Sequence, residues 1–71
     1  MKSVTLQIDN DPRSPMVLAQ EIATWLGKQG LRFLQDYEWA NTTVNHRRVF
    51  IVNFADHCEE MSTLFALAWV K

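Results

Sequence analysis

Val49-Phe50-Ile51-Val52-Asn53-Phe54 is the best candidate in the sequence for the centre of a sheet. It is apolar on both parities, the pattern of an inner strand that is covered on both faces, or covered on one and used as an interface on the other. Near the amino terminus, Val4, Leu6 and Ile8 alternate with Ser3, Thr5 and Gln7, which predicts a first strand with one buried face. Leu31, Phe33, Tyr37 and Trp39 share one parity against Arg32, Asp36 and Glu38, with Leu34 out of step, and predict a second strand from Leu31 onward. The polar clusters Asn41-Thr42-Thr43 and Asn45-His46-Arg47-Arg48 then read as a hairpin connection with a basic tip.

Two helices flank these strands. Ser14-Pro15 is an N-cap followed by proline at the first helical position, where its missing N–H costs nothing. From there Leu18, Ala19, Ile22, Trp25 and Leu26 fall on one stripe, and Gln20, Glu21, Thr24 and Lys28 lie opposite. Gly30, in preference to Gly27, supplies the left-handed residue past the helix end. Asp56 and Glu59 have the spacing of a capping box for the last helix. Its expected core stripe is Cys58, Met61, Phe65, Ala68 and Trp69, extended by Leu64, while Leu67 and Val70 project to the other side. The expected fold is therefore α+β, a βαββα domain with two helices on one face of a three-stranded mixed sheet, the helical crossover placing strand 1 parallel to a neighbour.

The 71 residues fit a single domain spanning 1–71, because a chain this short buries only about 60% of its unfolded surface. With 48% hydrophobic and 21% charged residues it is globular in composition. Seven basic against eight acidic side chains give a formal charge of -1, so no global field draws the protein to nucleic acid or an anionic membrane. The start of the chain alternates in polarity, unlike a signal peptide, and Leu64 to Val70 is far below the roughly 20 residues that span a bilayer, so a cytoplasmic protein with no membrane partner is expected. Cys58 is the one cysteine, which excludes an intrachain disulfide and leaves self-association, most simply a homodimer, as the expected staple for so small a core.

No catalytic, cofactor or metal site is expected. Asp9-Asn10-Asp11 begins like a calcium loop but lacks the glycine and distal glutamate such a loop needs. His57 and Cys58 are adjacent, and neighbours on a helix diverge by about 100°. A metal site from Asp56, His57, Cys58 and Glu60 would likewise need ligands from several faces of one helix. Cys58 lies on the core stripe, where burial opposes thiolate formation.

The binding features are aromatic and basic. Trp25 and Trp69 belong to buried stripes, whereas Trp39 sits beside polar residues near a strand end. Large aromatics and arginine dominate interface hot spots, so the expected protein-binding residues are Tyr37, Trp39, Arg47, Arg48, Leu67 and Val70. The element order is similar to that of DinI-type modulators of recombinase filaments and to half of a ferredoxin-like domain, a likeness of topology with no motif attached. The resulting expectation is a non-enzymatic protein-binding module, a small regulator or inhibitor of a larger protein whose identity the sequence does not give. Compact single-domain chains of this kind are common among phage and mobile-element regulators, inhibitors of host defence among them. The alternative is a small nucleic-acid-binding regulator that uses the Asn45–Arg48 tip, with His46, Arg47 and Arg48 joined by Arg32.

Overall fold

The computed structural model describes residues 2–70; Met1 and Lys71 lie outside the described residues. The elements are β1 (Lys2–Gln7), α1 (Pro15–Lys28), β2 (Tyr37–Val44), β3 (Arg47–Phe54), a 3-10 turn (Asp56–Cys58) and α2 (Glu59–Trp69). Among the described residues, no helix is long and apolar enough to cross a membrane.

The sheet order is β1-β3-β2, and both pairings are antiparallel, so the expected mixed sheet is corrected. The crossover through α1 does bring β2 back parallel to β1, but β3 is inserted between them, the arrangement of a split βαβ unit. β3 is thus the central strand, in keeping with its apolar sequence. Register then sorts the side chains. Val4, Val52 and Trp39 are in line across the sheet, as are Leu6, Phe50 and Asn41, and this face holds the core with Phe54 and Tyr37. Leu18, Ala19, Ile22 and Leu26 of α1 and Phe65 of α2 cover it. Phe65 lies at the centre, edge-on to Trp25 and Phe54 and stacked on Trp69 with ring centroids 5.8 Å apart. The opposite face carries Ser3, Thr5, Gln7, Glu38, Ala40 and Thr42 around Val49 and Ile51, and both α1 and α2 pack on the core side away from it.

The first helix forms as its sequence predicts. Ser14 Oγ accepts the Val17 N–H, Pro15 opens the helix, and Gly30 closes it at φ 86°. Leu31 N–H donates to the Leu26 carbonyl and Gly30 N–H to that of Gly27, the paired bonds of a Schellman end.

Four local expectations are corrected. The second strand begins at Tyr37, not Leu31, and residues 34–36 form a turn in which Leu34 adopts φ 71° and donates its N–H to the Tyr37 carbonyl. The hairpin turn is Asn45-His46 alone, with φ 51° and 65°; Asn41–Thr43 belong to β2 and Arg47 and Arg48 to β3. Positive φ at both central positions is the signature of a tight two-residue turn whose twist matches its strands. Asp56 is not a helix cap, because it opens the 3-10 turn and no side chain caps either that turn or α2. The α2 stripe is also rotated: Ser62 is buried and Ala66 packs on the core, while Leu64 and Ala68 are exposed. Ser62 tolerates burial because its hydroxyl donates to the Glu59 carbonyl within its own turn.

Candidate functional site

The expected binding residues do not form one surface. Tyr37 is only 4% exposed and packs against Phe33 and Phe54, so it is a core residue and not a contact residue. Trp39 is half-buried, its ring stacked on Phe50 at 5.0 Å, with one flank left at the β2 edge of the sheet. Arg47 and Arg48 are exposed at the hairpin tip beside His46. Arg32 lies at the opposite end of the sheet, next to Asp36, and the eight residues of β2 put roughly 20 Å between it and the tip. The structure therefore does not bring Arg32 into a basic cluster with His46, Arg47 and Arg48.

The tip is also less isolated from acidic groups than its sequence suggests. The Arg48 backbone N–H donates to Asp9 Oδ1 at 2.5 Å, which ties the β1–α1 loop to the hairpin. Arg13 fastens the same loop: its guanidinium grips Asp11 through Nε and Nη2 at 2.9 and 2.6 Å, pairs with Glu21 and lies over the Trp69 ring. The hydrogen bond to Asp11, helped by that to Glu21, raises the Arg13 pKa further above neutrality, so its charge is fixed. A groove follows, running from Thr5 and Gln7 past Arg13 to Trp69 and Val70, with Arg47 at its rim.

From Leu64 onward the outer surface of α2 is apolar. Leu67 is 78% and Leu64 54% exposed, one turn apart, and Val70 is exposed near the helix end. The sequence marks Leu67 and Val70 as projecting residues, and Leu64 joins them because the core side of the helix is filled by Phe65 and Trp69.

A further cluster escapes the sequence reading. Asp36, in the turn before β2, sits against the 3-10 turn: His57 Nε2 donates to Asp36 Oδ1 at 2.6 Å and the Arg32 N–H donates to Oδ2 at 2.7 Å. These bonds, that from His57 foremost, hold the Asp36 carboxyl below its ordinary range. Cys58 Sγ completes the group, and the candidate donor atoms of the three residues all lie within 4.8 Å of one another. Burial pushes the Cys58 thiol up, and the neighbouring Asp36 carboxylate acts in the same direction. Near neutral pH it therefore stays a thiol, which disfavours it as a free nucleophile. Asp36 is separated from His57 by 21 residues, so no local spacing in the sequence links them.

No family model matches the chain, and neither a curated protein nor a solved structure matches it.

Proposed function

We propose that the domain is a non-enzymatic protein-binding module, a small cytoplasmic regulator or inhibitor of a larger protein or complex, acting as a homodimer. The observation that carries this reading is the leucine ridge on α2. Leu64 and Leu67 point away from a core that Phe65 and Trp69 already fill, and water-facing leucines one turn apart are what a packing partner covers. The open sheet face provides a second surface. A standard interface takes roughly 800 Å² per partner, about a sixth of the 4938 Å² surface, so one domain has room for self-association and for a target. In this reading α2 carries the homodimer, and the open sheet face, with Arg47 at its hairpin end, faces the regulated protein. An inhibitor of host defence carried by a phage or mobile element is the setting we favour.

Sedimentation velocity over a range of concentrations tests it, with wild type beside a Leu64→Glu, Leu67→Glu variant. A concentration-dependent dimer that the variant loses while keeping its circular dichroism is the expected result. A wild type that stays monomeric throughout removes the dimer from the proposal.

The second reading, nucleic-acid binding through the tip, rests on the exposure of His46, Arg47 and Arg48 together at one hairpin end. Fluorescence anisotropy with a labelled duplex separates the two, because binding through phosphates weakens steeply as salt rises and an apolar interface does not.

A further inference from the structure

We propose that Asp36, His57 and Cys58 form a binding site for one divalent cation of the zinc class, which clamps the turn before β2 to the start of α2. The donor set is one carboxylate oxygen, one imidazole nitrogen and one thiol sulfur, and all three atoms fall within 4.8 Å of one another. Thiolate and imidazole together select zinc over calcium or magnesium, which favour all-oxygen sites. Zinc binds these donors at about 2.0 to 2.3 Å, which in a tetrahedron sets the donors roughly 3.3 to 3.6 Å apart. Closing on a cation thus takes movements of about 1 Å: His57 Nε2 and Asp36 Oδ1 separate slightly from 2.6 Å, and the sulfur moves in.

The surroundings already hold the ligands in place. Asp36 Oδ2 is engaged by the Arg32 N–H, which orients the carboxylate and leaves Oδ1 turned to His57. The Ala55 N–H donates to the Asp36 carbonyl at 2.9 Å and the Cys58 N–H to the Ala55 carbonyl at 2.8 Å, so the two ligand-bearing segments are tied by backbone bonds. His57 is 63% exposed on its side chain, giving an ion a path in and leaving a fourth position for water. Adjacent residues diverge on a helix, which is why the pair reads as unable to converge; Asp36, arriving from a different element, supplies the point on which both side chains meet. Binding releases the Cys58 thiol proton, so affinity rises with pH.

The test is a cobalt(II) titration of the full chain after chelator treatment, followed by zinc(II) competition. The expected result is a near-ultraviolet thiolate-to-cobalt band that saturates at one ion per chain and is displaced by zinc, with a higher melting temperature in the zinc form. Cys58→Ser should abolish the band, and His57→Ala should weaken affinity by more than the roughly 10- to 100-fold typical of an outer-shell partner. Absence of the band in wild type overturns the proposal, whatever the folding of the variants. Equal cobalt affinity in wild type and a folded Cys58→Ser chain overturns it as well.

Discussion

Leu34 is a leucine in left-handed backbone, φ 71°, and it is 73% exposed. An L-residue with a Cβ costs roughly 1–2 kcal/mol there relative to glycine, and little burial offsets that cost. Replacing it by glycine removes the strain but adds about 0.5–1 kcal/mol of unfolded-chain entropy. Replacing it by alanine keeps the strain and loses the same side-chain contacts. Leu34→Gly should therefore be more stable than Leu34→Ala by about 0.5–1 kcal/mol, whereas at an ordinary position alanine is the more stable by a similar amount. The comparison turns on a sign. Urea unfolding followed by tryptophan fluorescence reads it, since a domain of this size has an m-value near 1 kcal/mol/M and the midpoints should differ by about 0.5–1 M. A higher midpoint for Leu34→Ala would refute the reasoning and place Leu34 outside the left-handed region in solution.

The two glycines should respond in opposite ways. Gly27 lies inside α1 and a Cβ there meets nothing within 4 Å, so Gly27→Ala should raise stability by up to about 1 kcal/mol, while Gly30→Ala, at φ 86°, should lower it by a similar amount in the same denaturation series. Asp36 makes stability pH-dependent. Its carboxyl is held below the ordinary value of 3.8, so the folded state binds that proton less tightly than the unfolded chain; the contribution is complete above about pH 4 and is lost as pH falls through the lower, folded value. The gap in urea midpoint between wild type and Asp36→Asn should accordingly narrow on acidification below about pH 4, and a gap that is constant with pH would show that the carboxylate charge contributes nothing.

Features that are fixed by nearest neighbours could be read directly. The Ser14-Pro15 start, the Gly30 stop and the central position of Val49–Phe54 depend on local hydrogen bonding and on side-chain parity. The sequence hides the start of β2 because Leu31 and Phe33 keep the parity of Tyr37 and Trp39 straight through a turn; the misfit of Leu34 is the signal that the chain turns there. The α2 stripe differs from its sequence pattern because hydrophobicity alone admits Leu64 and Ala68 and rejects Ser62, whose hydroxyl is satisfied inside the helix. Sheet direction depends on β3 entering between two parallel strands, and that is decided by packing across the whole chain. The Asp36, His57 and Cys58 group was illegible for the same reason, since its members meet only once β2, β3 and the 3-10 turn are in place.

The position of β3 also orders the assembly of the domain. Its pairing with β2 closes through the two-residue turn at Asn45-His46, whereas its pairing with β1 joins residues such as Ser3 and Asn53, 50 positions apart in the chain. Loop-closure entropy makes the first contact early and the second late, so the hairpin is the template and the amino-terminal strand docks onto its exposed edge. Amide exchange should be slowest in β3 facing β2 and faster along β1, and mutations in β1 should speed unfolding far more than they slow folding.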